Sequence, residues 1–277
     1  MQQSGEFEKA RERFKKDVQQ RNRDNYYKLK EVNTEKAVRA AVELAYNDAK
    51  RTLTGIGNHT DKKKKVLKCI EDKLLCYFKN KAPSNEAEFD VIHNELCQIW
   101  CDEFKDSQEG KLGTYGKAQK IVNMSFKYLY CCEDAEKYRD HFKYCHMPLD
   151  SFTLEWFKRN THDKITAGKI ASWSNLENGA NEFEMEGKKF YSYEYYKKKI
   201  REMAVNDGRG FSPLELEFIV WPQIQMELAA EGFLFGLEDN LTDGLKKNIK
   251  KMSLEDKYNK IVTLLKESGY QGKNDAY

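Results

Sequence analysis

Lys117-Ala118-Gln119-Lys120-Ile121-Val122-Asn123-Met124-Ser125-Phe126-Lys127-Tyr128-Leu129-Tyr130-Cys131-Cys132 is the stretch whose reading decides the fold. It holds no glycine or proline. Ala118, Ile121, Val122, Ser125 and Leu129 recur at helical spacing, which predicts a strongly apolar helix with these residues on its inward face. The same period continues on either side. Upstream, Val38, Ala41, Val42 and Ala45 follow Thr34, a residue suited to capping a helix. Val66, Leu67, Ile70, Leu74 and Tyr77 stripe a second segment, and Phe89, Ile92, Leu96, Ile99 and Trp100 a third that runs to about Lys105. Phe7 to Lys30 reads as a polar, charge-rich helix. Downstream, Ser151–Arg159, Tyr193–Val205 and Leu214–Ala230 have helical period, the last kinked or restarted at Pro222. Ser253 with Asp256 opens a final helix that Gly269 closes. Glu177 to Lys189 fits either a short hairpin or a loop.

Composition agrees with a helical reading. The chain has 277 residues, and its 16 Tyr, 15 Phe and 4 Trp are too much aromatic surface for a disordered polymer. Only 4 Pro and 16 Gly interrupt it, which favours long helices over many short strands. The expected class is therefore all-α and multi-helix. It forms a single globular unit, 1–277, or two lobes, a basic one over about 1–105 and a second over about 106–277. No run approaches the roughly eighteen apolar residues of a transmembrane helix, so no membrane partner is expected. The charged N-terminus lacks the apolar region of a secretory signal, which points to the cytoplasm. The 7 cysteines agree, being odd in number and scattered. Neither Cys97/Cys101 nor Cys145 beside His146 has a second pair at zinc spacing, so no metal site and no cofactor are implied.

Charge is uneven along the chain. Residues 1–82 hold 21 Lys and Arg against 12 Asp and Glu, whereas the other 195 hold 27 against 33. The basic part includes Lys62, Lys63, Lys64 and Lys65. Such a cluster is either a face for a polyanion or an ordinary solvated helix surface.

Several chemistries are excluded by their missing motifs. There is no phosphate-binding Walker loop, no dinucleotide fingerprint, no HExxH zinc helix and no nucleophile elbow. Arg159-Asn160-Thr161-His162 is too short for the Arg/His pair of helical endoribonucleases. Glu215 and Glu217 fall on different sides of their helix and form no ready acid/base pair, although Glu217 sits within an apolar stretch.

One constellation remains. Gly113 and Gly116 form a glycine turn, Lys117 and Lys120 follow on one side of the apolar helix, and His146-Met147-Pro148-Leu149-Asp150 leads into the next helix. Exposed amides of a glycine turn and a helix N-terminus can hold a phosphate. A lysine amine desolvated by an apolar helix has a lowered pKa and becomes a nucleophile, and Asp150 can approach it from a helix start. Equally, such a lysine can be a snorkelling surface residue and such an aspartate a helix cap.

The stretch from Gly113 to Trp156 resembles the helix-hairpin-helix DNA glycosylase superfamily, which shares a hairpin, a lysine and a downstream Pro-x-Asp. Its Lys-to-Asp spacing is closest to the archaeal 8-oxoguanine DNA glycosylase branch. The usual Leu-Pro-Gly-x-Gly hairpin is absent, and the lysine register lies between Lys117 and Lys120. The resemblance implies a two-lobed all-α fold and base excision from double-stranded DNA through a lysine Schiff base. Lys120, or Lys117 in its place, would attack the sugar while Asp150 stabilises positive charge. Gly113, Gly116 and Lys62 to Lys65 would contact DNA, and His146, Trp156 and Trp173 would form the base pocket. The alternative is a non-catalytic helical interaction protein, host-defence or phage-related, with a protein partner.

Overall fold

The computed structural model describes residues 2–107, 111–163, 165–237 and 242–267. Among them the α-helices run in the order α1 (Gln2–Arg21), α2 (Arg23–Tyr26), α3 (Glu35–Ala49), α4 (Thr60–Lys79), α5 (Glu86–Phe104), α6 (Tyr115–Leu129), α7 (Arg139–Phe142) and α8 (Ser151–Asn160). A hairpin of β1 (Glu182–Met185) and β2 (Lys188–Tyr191) follows. Then come α9 (Tyr193–Asn206), α10 (Pro213–Leu237), α11 (Asp243–Lys251) and α12 (Leu254–Glu267). The fold is all-α. The chain divides into two compact units, residues 1–220 and 221–277, and the break about residue 105 considered above falls inside the first.

Local chemistry explains the helix starts. Thr34, Asn85 and Ser192 each accept a backbone N–H three residues on. The hairpin is antiparallel, with Glu182 opposite Tyr191 and Met185 opposite Lys188. Its two turn residues, Glu186 and Gly187, both have positive φ (54° and 72°), which the twist of a two-residue turn demands. Pro222 lies inside a continuous α10 rather than at a restart.

In the first unit α6 packs along α3 and α5. The periodicity assigns one inward face to this helix, but every residue from Tyr115 to Leu129 is buried, including Lys117, Gln119, Lys120, Asn123 and Lys127. A helix enclosed on all sides is normally apolar all round. Here the polar side chains must find partners inside the protein, because burying them unpaired is costly. Around α6 lies an aromatic core in which Tyr130 stacks on Phe142 at 4.2 Å between centroids, and Phe126 contacts Tyr77, Phe78 and Phe89.

The second unit holds most of α10 together with α11 and α12. Thr242 and Ser253 cap the latter two, Ser253 Oγ also donating to Asp256. Within it Lys257 Nζ pairs with Glu231 Oε1 at 3.0 Å, both side chains buried. Gly269 lies outside the described residues. No described helix is long and apolar enough to cross a membrane.

Candidate functional site

Lys120 and Asp150 meet. Lys120 Nζ lies 2.7 Å from Asp150 Oδ2, with side chains 8% and 11% exposed. Asp150 is the N-cap of α8. Its Oδ1 accepts the Phe152 and Thr153 amides at 2.9 Å each, and its own amide donates to Thr153 Oγ1 at 2.8 Å, completing a capping box. Pro148 leaves the chain extended before the helix, and this presents the aspartate to α6. Burial pulls the Lys120 amine down, but the charge and hydrogen bond of Asp150 outweigh it, and the net shift is upward. The resting pair is therefore ammonium and carboxylate, not the neutral amine expected from desolvation alone.

Lys117 behaves differently. Its Nζ donates to the Lys111 carbonyl at 2.8 Å, and burial lowers its pKa. The two glycines serve close packing rather than an open phosphate cradle. A Cβ on Gly116 would lie 1.9 Å from the Trp173 carbonyl oxygen, and one on Gly113 2.8 Å from backbone of Phe104. The Gly116 amide donates to Leu176 O at 2.8 Å, and Thr114 Oγ1 donates to Ser174 O at 2.6 Å. The start of α6 is thus capped by the loop that follows α8.

Of the lysine cluster, Lys65 pairs with Glu103 at 2.8 Å, Lys62 Nζ lies 3.5 Å from the Glu103 carbonyl, and Lys63 sits 5.3 Å from the centre of the Tyr46 ring. Lys64 is exposed at the start of α4. Trp156 is buried on α8 and Trp173 half-buried. His146 lines a cavity of about 10 Å³, room for one water, and neither tryptophan lines it.

What sequence reading missed is the polar chain that holds this segment. His146 Nε2 donates to Asp90 Oδ1 (2.8 Å), and its Nδ1 accepts the Tyr193 hydroxyl (2.8 Å). Asn123 Nδ2 donates to Tyr193 Oη (3.1 Å) and Gln119 Oε1 (3.0 Å), while Asn123 Oδ1 accepts from His93 Nε2 (2.8 Å). An ionised carboxylate only accepts, so the donors from His93 through Asn123, Tyr193 and His146 run toward Asp90, while the second Asn123 N–H branches to Gln119. Gln119 also grips Leu149 twice, Nε2 to its carbonyl and Oε1 from its amide, at 2.9 and 3.1 Å. Residues 146–150 are therefore clamped from α6 and α9.

Burial would raise the Asp90 carboxyl, but hydrogen bonds from His146, Arg201 and Lys197 hold it well below the usual range. Burial pushes His146 down to about 4 and His93 well below its ordinary value, so both imidazoles are neutral. The only hint in the sequence was Gln119 and Asn123, four residues apart within an apolar helix.

A second buried pair lies on the same helix. Lys127 Nζ is 2.5 Å from Glu217 Oε2, and it also sits 4.0 and 4.8 Å from the Phe14 and Phe218 ring centres. Glu217 had no partner legible in the sequence. Burial raises its pKa, Lys127 offsetting this only in part. Compared with protein-family models, curated proteins and solved structures, the chain matches none of them.

Proposed function

We propose that the protein is a base-excision enzyme of the DNA glycosylase/lyase type, with Lys120 as nucleophile and Asp150 as its proton partner. The observation that carries this reading is the 2.7 Å contact between the two side chains, brought together from helices thirty positions apart in sequence. Proton transfer from Lys120 to Asp150 Oδ2 frees the amine lone pair. That pair attacks the sugar C1′ as the C1′–N bond breaks, and the base leaves with the bonding electrons and takes up a proton from Asp150. The Asp150 carboxylate then takes a proton from the new C1′ ammonium and passes it to the ring oxygen as the C1′–O4′ bond breaks, which gives the protonated imine. Lys62 and Lys64 supply contacts to DNA phosphates. Because Lys120 is almost buried, the reaction needs its surroundings to part when DNA binds.

A second reading is favoured by the capping box and the occupied Gly116 amide. In it the pair only ties α6 to the start of α8, and the protein is a non-catalytic helical interaction module with a protein partner.

Borohydride trapping on duplexes carrying abasic sites or oxidised bases, with free base measured in the same assay, separates the two. The enzyme reading expects a covalent adduct and released base, both lost in Lys120→Ala. Absence of both from a broad lesion panel would leave the interaction module standing.

A further inference from the structure

A hollow of about 530 Å³ opens between the α4–α5 connection and the segment around α7. Its size falls within the range of small-ligand sites, roughly 300–1,000 Å³. The lining is cationic, with Lys81, Lys137 and Lys143 against a single carboxylate, Asp140. None of these three amines forms an ion pair within 4.0 Å among the described residues. The acids next to them in sequence are committed elsewhere. Glu136 pairs with Arg11 at 2.8 Å, Glu133 pairs with Lys30, and Asp134 accepts the Val32 amide at 2.9 Å. Glu88, at the start of α5, accepts from the Ser84 amide and hydroxyl at 2.8 and 2.7 Å. The three lysines thus face one lining carboxylate, Asp140, with Glu88 acting on Lys81 only through its charge, and the hollow keeps an excess of positive charge.

The walls are fixed without any ligand. His141 Nε2 donates to the Asn80 carbonyl at 2.9 Å, Tyr144 Oη to the Ser84 carbonyl at 3.1 Å, and Tyr77 Oη to the His141 carbonyl at 2.6 Å. His141 also packs against the Phe78 ring at 5.5 Å. Pro83 lies buried behind the wall, the half-buried Tyr144 adds an aromatic face, and Lys143 Nζ lies 5.2 Å from the Tyr144 ring centre. A preformed hollow with exposed ammonium groups at its rim and an aromatic face in its wall suits phosphates attached to a flat base.

We propose that this hollow binds the phosphate groups of a nucleotide, either free or within a nucleic-acid strand. The lysines hold the phosphates as point charges, and the Tyr144 ring offers the face on which the base rests. The proposal stands on these residues alone and does not rest on the chemistry of Lys120.

Fluorescence anisotropy at low salt tests it, with a labelled ADP analogue in one arm and a short labelled DNA strand in the other. The full chain is compared with Lys81→Ala/Lys137→Ala/Lys143→Ala, and with Lys188→Ala/Lys189→Ala/Lys198→Ala, which removes equal charge from exposed positions elsewhere. Circular dichroism checks that each variant folds. The expected result is binding of at least one probe, weakened about tenfold or more in the first variant and within about twofold of wild type in the second. For the strand, loss of three phosphate contacts should flatten the log K against log salt slope by about 2. Binding of the ADP analogue assigns the site to free nucleotides, and binding of the strand alone assigns it to nucleic acid. The proposal is overturned if neither probe binds, if the first variant binds like wild type, or if the second loses as much as the first.

Discussion

Two buried lysine–carboxylate pairs lie two turns apart on one helix and are built on opposite principles. Asp150 is supported by the α8 amides and keeps a small opening to solvent, so its charge has partners besides Lys120. Glu217 is sealed in, with Lys127 wedged between two phenylalanine rings as the charge that offsets its own. The first carboxylate keeps the α8 amides on Oδ1 when its lysine is taken away. The second cannot lose either member, so it is read as a strut. The difference teaches that a lysine–carboxylate contact is a candidate site only where the carboxylate can survive the lysine's departure.

The largest effect tests that contrast directly. Lys127→Met should cost about 3–5 kcal/mol in urea unfolding because it strands a buried carboxylate, and adding Glu217→Leu should recover most of it. Lys120→Met should cost only about 1–3 kcal/mol, since the α8 amides still satisfy Asp150 Oδ1. If Lys120→Met is the costlier change, the comparison is wrong. Next, Gly116→Ala should cost about 3 kcal/mol, because its Cβ meets a backbone oxygen that a side-chain rotation cannot move. A near-neutral Gly116→Ala would show that this turn is loose and open to phosphate.

The third effect concerns the clamp behind Asp150. His146 is held neutral, with its folded pKa near 4 below the ordinary 6.5. The unfolded chain therefore binds the extra proton more readily. This part of the stability is complete above about pH 6.5 and is lost as pH falls toward 4, at up to about 1.4 kcal/mol per pH unit. His93 acts in the same sense, whereas the depressed Asp90 carboxyl matters only below its ordinary 3.8. His146→Gln should flatten the stability–pH curve between pH 6.5 and 4, and an unchanged slope would remove the imidazole from the clamp. The smallest effect separates cap from pair. Asp150→Ala should be less stable than Asp150→Asn by about 1 kcal/mol, because asparagine still caps α8. Equal stabilities would deny the cap.

Much of the fold was legible, for reasons that particular segments make clear. The stripes on α3, α4 and α5 face one core, so period alone locates them. The Thr34 and Ser253 caps act within three residues, and so does Asp150 at the start of α8. The hairpin at 182–191 stayed ambiguous because its strands are short, and only Glu186–Gly187 marks the turn. Residues 243–251 drew no helix reading because Leu245 and Ile249 are too few to show a period. The approach of Asp150 to the lysines of α6 was anticipated from the Lys117/Lys120 spacing and the helix start after Pro148, and from a resemblance, but not its burial or its ion pair. Periodicity places lysines at the surface, and it has no means of showing that a whole helix is enclosed. The Lys127–Glu217 pair and the chain from Asp90 to His93 depend on residues tens of positions apart. The loop that closes over Gly116 was equally hidden, since glycine there reads the same for a phosphate cradle as for close backbone packing.

Of the three lysines buried on α6, Lys120 is the one proposed as the nucleophile. The direct measurement is peptide mapping by mass spectrometry of the adduct formed when borohydride reduces the protein on an abasic duplex. A sugar mass on Lys120, with Lys117 and Lys127 unmodified, is the predicted result. An adduct confined to Lys117, Lys127 or the exposed lysines of α4 would contradict it, and so would the absence of any adduct together with no release of base.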